Sequence, residues 1–149
     1  MRAGVLSVVS AIASYASGIR AEFHMATLID QLQAMRLLGE NWDGYAAAAP
    51  HGNAIDLALE FTDLIAAMLE KSKAGPTEIH VSPTRVGGVL VEWEDASRQH
   101  EVEINPDRSI GFLHLDKATG GISTRKFSPD TQAVVHPGFL QELRQLLAA

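Results

Sequence analysis

Glu40-Asn41-Trp42-Asp43-Gly44-Tyr45, followed by four alanines and Pro50, separates two segments with helical periodicity. The stretch contains two of the chain's nine aromatic residues. A Trp or Tyr buries ~150–250 Å² when it packs, so we predict that this loop folds back and closes one end of the core. Asn41 and Asp43 are expected to accept hydrogen bonds from nearby backbone N–H groups. Gly44 is expected to adopt a conformation that other residues resist.

Apolar residues at helical spacing predict one helix on each side of this loop. The first covers Ala26–Leu38, where leucine and methionine recur three or four residues apart, and Gly39 follows it in the position of a C-cap. The second covers about Ala54–Lys73, with Asn53 as its N-cap. The sequence therefore predicts two helices ahead of any sheet.

After Pro76 apolar residues alternate with polar ones, which is the pattern of strands with one buried face. Four segments show it and a fifth is a candidate edge strand: Glu78–Val81, Val89–Trp93, Arg98–Ile104, Ile110–Asp116 and Ile122–Phe127. Short turns join them, which predicts an antiparallel meander. A last amphipathic helix covers Gly138–Leu147. The predicted fold is α+β, with two N-terminal helices, four to five strands, a C-terminal helix, and the helices packed on one face of the sheet.

Residues 1–24 read as an extension of a single α+β domain that covers residues 25–149. Three interpretations stay open for them. The start codon is assigned too early, since a clean amphipathic pattern begins after Met25; the segment is a helical extension; or it is a poor match to a secretory signal, with Arg2 ahead of a short apolar run. That run is too short and too polar to span a bilayer, so no membrane association is expected.

The composition is that of a globular protein, with 46% hydrophobic and 20% charged residues. The chain has no cysteine, which removes disulfides, thiolate catalysis and cysteine-ligated metal sites. The net charge is −6, and the predicted sheet carries much of it, because residues 76–104 hold six acidic and two basic side chains. An acidic sheet repels phosphate, so we expect no nucleic-acid partner, and a partner with a basic surface is favoured.

The loop and the segments that follow it resemble a set of uncharacterised bacterial proteins, which carry an NWDGYGA-type loop followed by a GGV…EWE hairpin. The matching residues are Asn41-Trp42-Asp43-Gly44-Tyr45, Val81-Ser82-Pro83-Thr84, Gly87-Gly88-Val89 and Glu92-Trp93-Glu94. The resemblance covers about residues 25–116 and departs at Ala46, where the pattern often has a glycine. It implies fold boundaries but no mechanism, because no activity is established for that set.

The acidic hairpin is the best candidate for catalysis. Its carboxylates and the nearby histidines can be drawn as the metal site of a hydrolase: Glu92, Glu94, Glu101, Glu103, His80, His100 and His114. We favour the alternative that the glutamates form the solvated face of a sheet, with His100 on the apolar inner face, because no metal-binding motif such as HExxH occurs. In that case the strand register is expected to stagger the carboxylates, since like charges directly opposite each other are destabilising.

Asp43 could also act as a general base beside Tyr45 as an acid, although capping a turn is the commoner role of such a carboxylate. We therefore interpret the chain as a small cytoplasmic binding module without a cofactor, rather than an enzyme, whose partner is a basic protein such as a toxin or another member of a paired bacterial element. The candidate binding residues are Trp42, Asp43, Tyr45, Glu92, Glu94, Glu101 and Glu103. The alternatives are the metal-dependent hydrolase and a small-ligand binder with its pocket between residues 40–50 and the sheet.

Overall fold

The computed structural model describes residues 21–148 except 71–77 and 130–135. In these residues the chain forms three helices and five strands. Their bounds are α1 Ala21–Met35, α2 Gly52–Glu70, β1 Ile79–Pro83, β2 Val89–Glu94, β3 Arg98–Ile104, β4 Ile110–Asp116, β5 Ile122–Phe127 and α3 Pro137–Ala148. The predicted α+β class is confirmed. The prediction that two helices precede the sheet also concerns residues 1–20, which lie outside the described residues.

The five strands form one sheet in the order of the sequence, and each strand is antiparallel to the next. This is the predicted meander, and it includes the candidate edge strand β5. The predicted turn between β3 and β4 closes with a hydrogen bond of 2.8 Å from the backbone N–H of Arg108 to the carbonyl of Asn105. Short turns of this kind fix the register of every strand pair, and therefore decide which side chains stand opposite each other.

One face of the sheet packs against the helices. Alternate residues of the first four strands are buried on this face: Ile79, Val81, Val89, Val91, Trp93, His100, Val102, Ile104, Ile110 and Phe112. The helices add residues to the same cluster, among them Leu32 and Met35 of α1, Phe61 and Ile65 of α2, and Phe139 of α3. The period-two pattern thus predicted the buried side of β2 and β3 correctly, His100 included.

Two predicted helix ends are wrong. Helix α2 begins at Gly52, and its cap is His51 instead of Asn53: the His51 carbonyl accepts bonds from the N–H groups of Ala54 and Ile55, and its Nδ1 accepts one of 3.1 Å from Asn53. The imidazole therefore takes the capping role that a short polar side chain usually fills. Helix α1 ends at Met35 in a tight turn, so Gly39 lies beyond it and is not a left-handed C-cap.

The start of α1 and the end of α2 can be compared with the boundaries predicted from the sequence. Helix α1 includes residues 21–24, which the sequence assigned to the extension, and the domain boundary after residue 24 stays a prediction. Residues 71–73, the predicted last turn of α2, lie outside the described residues. At the start of α2, Asp56 forms an ion pair with Arg36, which follows α1. This pair joins the two helices near the loop that connects them.

His100 stands in the middle of an aromatic stack in the core. Its ring centroid lies 4.9 Å from that of Trp93, 6.0 Å from that of Phe112 and 5.6 Å from that of His114, with interplanar angles of at most 21°. Burial lowers the pKa of His100 to about 4. The nearby Asp95 opposes this change, whereas His114 and Arg98 add to it. His100 is therefore a neutral core residue at pH 7.

We predict that this buried imidazole makes the protein sensitive to mild acid. Between pH 6.5 and about 4 the folded state binds fewer protons at His100 than the unfolded state, so the free energy of unfolding is at its full value above pH 6.5 and falls as the pH drops through this window. At 1.36 kcal/mol per pKa unit the loss amounts to about 3 kcal/mol. Urea denaturation at a series of pH values measures it.

The His100→Phe variant keeps an aromatic ring in the stack and removes the titrating group, so its unfolding free energy should vary much less over this window. The control is His80→Gln, because His80 is exposed on the other face of the sheet. It should retain the wild-type slope. A slope that survives in His100→Phe would show that another group causes the acid sensitivity.

Candidate functional site

The loop of residues 40–50 is attached to the turn between β1 and β2. The N–H of Ala48 donates to the carbonyl of Arg85 at 2.9 Å, and the N–H of His51 donates to the carbonyl of Gly87 at 2.8 Å. Ala48 and Val86 also form a short parallel bridge. The backbone of the loop is therefore paired with the backbone of the turn, and this pairing fixes the position of the loop.

Asp43 is the centre of the loop. Its Oδ1 accepts hydrogen bonds from the N–H groups of Tyr45, at 2.7 Å, and Ala47, at 3.1 Å, and its Oδ2 lies 3.0 Å from Nε of Arg85. The same guanidinium donates to the carbonyl of Tyr45. Partial burial raises the pKa of Asp43, but these two backbone bonds and the charge of Arg85 outweigh it and hold the pKa below its usual value. Both oxygens of this carboxylate thus have partners that hold the loop in shape. This favours the role of a turn cap over that of a general base.

The predicted conformation of the loop is confirmed at three positions. Asn41 Oδ1 accepts a bond of 2.8 Å from the N–H of Ala46, and Asp43 makes the backbone contacts described above. Gly44 has a φ of 74°. Ala46 has a φ of 64°, in the left-handed region that favours glycine, and this is the position where the resembling bacterial sequences often have glycine.

The glycine pair that follows is required by close approach. A Cβ at Gly88 would lie 2.5 Å from the carbonyl oxygen of Ile104 on the neighbouring β3, which leaves no room for a side chain. Gly87, with a φ of 85°, is the glycine that meets the loop, because a Cβ built there would lie 3.1 Å from the carbonyl oxygen of Ala49. This close approach and the contact of Asp43 with Arg85 hold the loop and the β1–β2 turn together. At these residues the resemblance describes a structural junction.

The prediction that the aromatic residues of this loop close one end of the core is wrong in its main feature. Trp42 is only half-buried and is not part of the buried core; its Nε1 donates a hydrogen bond of 3.0 Å to the carbonyl of Ala48. Tyr45 is 69% exposed. The reason is that backbone pairing with the β1–β2 turn, rather than burial of aromatic area, anchors the loop.

The acidic residues lie on the face of the sheet opposite the helices, which we call the outer face. The expected stagger is wrong: Glu92 of β2 stands directly opposite Glu101 of β3. In the next outward pair along the same strands, Leu90 stands opposite Glu103. The turn between β2 and β3 sets this register, so the two strands cannot slide to separate their carboxylates.

The other acids differ in their surroundings. Glu94 lies opposite Gln99 and pairs with Lys117, whose Nζ is 2.9 Å from its carboxylate. Within the described part of the chain no ion pair reaches Glu92, Glu101 or Glu103. Three of the four predicted glutamates therefore form an acidic cluster without a basic neighbour in ion-pair contact.

The histidines do not join the glutamates in one site. His80 stands opposite Glu92 on the outer face, whereas His100 and His114 are paired on the inner face. In the residues that the structure describes, no three of the His, Asp and Glu side chains are placed to hold a metal ion. The metal site suggested by the sequence thus combines residues that lie on opposite faces of one sheet.

A shallow groove of about 350 Å³ lies on the outer face beside the acidic cluster. Gly111 of β4 lines it and stands between Glu103 of β3 and Lys126 of β5, which line it as well. The other residues along the groove are Leu90, Glu101, Phe112, Leu113, Thr124 and Arg125. The sequence interpretation missed Gly111, Leu90 and Leu113. The available signal was a glycine inside a strand, at a position that the period-two pattern places outward.

Comparison of the chain with protein-family models, with curated proteins and with solved structures gives no match. Of the described helices, none is both long enough and apolar enough to cross a membrane. The site is therefore interpreted from its own geometry.

We predict that Ala46→Gly stabilises the protein by ~0.5–1 kcal/mol, because the left-handed conformation costs an alanine about 1–2 kcal/mol and the flexibility of glycine in the unfolded chain offsets part of the gain. Urea denaturation at pH 7 measures the change. The matched control is Ala49→Gly, since Ala49 is not left-handed and should lose stability. Equal losses in both variants would contradict the strained loop conformation.

Proposed function

We propose that the protein is a binding module, not an enzyme, and that the outer face of its sheet recognises a basic protein partner through Glu92, Glu94, Glu101 and Glu103. The observation that carries this proposal is the direct pairing of Glu92 with Glu101, next to Glu103, where none of the three forms an ion pair within the described residues. The described helices pack on the inner face. In this proposal the outer face stays uncovered and contacts the partner.

The energetics of the acidic cluster support a cationic partner. Two carboxylates directly opposite each other on adjacent strands destabilise a sheet by ~0.2–1 kcal/mol. A Lys or Arg from a partner would turn this repulsion into attraction, so the free energy that the free protein loses becomes available on binding. The same field would speed the approach of a basic protein and oppose that of nucleic acid.

The loop residues have separate parts in this proposal. Trp42 and Asp43 hold the shape of the loop through their hydrogen bonds, and we assign them no direct contact with the partner. Tyr45, whose carbonyl accepts a hydrogen bond from Arg85, and Val86, which follows Arg85, are both well exposed. We place them at most at the rim of the interface, where exposed aromatic residues often contribute.

We keep the partner class of the sequence interpretation, which is a basic protein of the cytoplasm such as a toxin or another member of a paired bacterial element. No described observation favours the metal-dependent hydrolase. The small-ligand alternative placed its pocket between residues 40–50 and the sheet, whereas the groove described above lies on the outer face.

The test is capture of the partner from the lysate of the host by the tagged protein, with mass spectrometry of the bound fraction. A variant with Gln at Glu92, Glu94, Glu101 and Glu103 should lose the captured protein, because it lacks the charge that attracts it and folds with less repulsion within the sheet. Wild-type capture should also weaken steeply as salt is raised from 50 to about 500 mM.

The control variant changes the same number of charges elsewhere. It carries Asn or Gln at four exposed acids outside the sheet: Asp30, Glu40, Glu60 and Asp63. This variant should capture the partner like the wild type. Equal capture by both four-residue variants would contradict the proposed interface, and equal loss in both would show that only the net charge matters.

A further inference from the structure

Gly111 lies in the interior of β4, where a glycine weakens a strand because it contributes no side chain to packing and loses more backbone freedom on folding. A glycine is kept inside a strand for one of three reasons: a bulge, a sharp bend, or the close approach of another group to the backbone. The structure of the sheet around Gly111 distinguishes between them.

Neither a bulge nor steric crowding accounts for Gly111. Its pairing with Glu103 on one side and Lys126 on the other is part of an uninterrupted register along β4, and its φ is not in the left-handed region. A Cβ built at this position would meet only the Cβ of Glu103, at 3.8 Å, which is an ordinary contact. Strand β4 pairs with both neighbouring strands from Ile110 to Leu115, so no sharp bend interrupts it at Gly111. The backbone and the space at this position therefore accept a Cβ, and the reason that remains is the approach of a group from outside.

The surroundings of the groove favour a cationic group with an apolar stem. Leu90 and Leu113 supply aliphatic surface, and Glu101 and Glu103 supply the charge. Lys126, across Gly111 from Glu103, is an exposed residue of β5. Arg125 stands opposite the inner-face Phe112, and its guanidinium forms an ion pair of 3.4 Å with Glu142 of α3, so its charge lies on the helix side of the sheet. In the described part of the chain, no ion pair joins Lys126 or any other base to Glu101 or Glu103.

We propose that the groove at Gly111 receives one arginine side chain of the partner, which lies across the glycine with its guanidinium against Glu101 and Glu103. An arginine fits because its methylene stem covers apolar surface while its planar guanidinium donates in pairs to carboxylates. This inference rests on the proposed function and adds the anchoring contact: the partner presents an arginine flanked by apolar residues, which meet Leu90 and Leu113.

The test uses N-acetyl-arginine methylamide as the probe of the groove, and the citrulline analogue as its neutral isostere. Both are titrated into the ¹⁵N-labelled full chain, and backbone amide shifts are followed by NMR. The arginine probe should give saturable shifts at Gly111, Glu103 and Leu113, and the citrulline probe should bind at least about tenfold more weakly. Equal shifts with both probes, or arginine shifts spread over all acidic residues without saturation, would overturn the proposal.

Substitutions at Gly111 separate binding from folding. Gly111→Ala and Gly111→Val should progressively lose the arginine probe while the melting temperature stays the same or rises, because a β-branched residue suits a strand that has room for it. The control is Gly39→Ala, at an exposed glycine in the turn after α1, which should bind like the wild type. Undiminished arginine binding in Gly111→Val would overturn the groove, and so would a lower melting temperature in both Gly111 variants, which would give the glycine a structural reason.

The two proposals fail in different ways. If the four-glutamine variant loses the captured protein while Gly111→Val captures it and binds arginine like the wild type, the binding module stands and the arginine groove is wrong. If the four-glutamine variant still captures the protein, the proposed function itself is wrong, whatever the arginine probe does.

Discussion

The carboxylate of Asp43 accepts hydrogen bonds from two N–H groups of its own loop and contacts Arg85 in the β1–β2 turn, so one side chain ties the connection between two helices to the sheet. Backbone bonds from Ala48 and His51 to the same turn complete the attachment. Because α1 and α2 both pack their apolar sides into the core, the position of this connection sets how the pair of helices lies on the sheet. The sequence pattern centred on Asn41–Tyr45 is explained by this structural demand.

The contacts of the loop with the β1–β2 turn explain which residues the loop contains. The fold does not explain in the same way which residues stand on the outer face of the sheet. The inner-face residues pack against the helices. Four aspartates each accept hydrogen bonds from nearby turn residues: Asp43, Asp95, Asp107 and Asp116. In the described residues the carboxylates of Glu92, Glu101 and Glu103 accept no such bonds from turn residues; Glu101 accepts one long bond, of 3.4 Å, from the side chain of Gln99 on its own strand. A feature that weakens the free protein and has no structural use is the kind that recognition of a partner accounts for.

The sequence predicted the elements well because their patterns are local. Period-two alternation identified the strands and put His100 in the core, and the turn chemistry of Asn105–Arg108 predicted an antiparallel meander. It failed where the outcome depends on contacts between distant segments. The capping by His51, the exposure of Tyr45 and the partnership of Asp43 with Arg85 all follow from where the loop meets the β1–β2 turn. The opposition of Glu92 and Glu101 was missed for a different reason, since the sequence interpretation assumed that the register would minimise repulsion in the free protein.

We propose that the outer face, and not the loop, is the recognition surface. Carbodiimide labelling of carboxylates with glycine ethyl ester, read by mass spectrometry residue by residue, tests it directly on the free protein and on its complex with the captured partner. We expect Glu92, Glu101 and Glu103 to lose reactivity in the complex, while Asp30, Glu60 and Asp63 on the helices keep theirs. Protection confined to Glu40 beside the loop, with unchanged labelling of the outer-face glutamates, would contradict it.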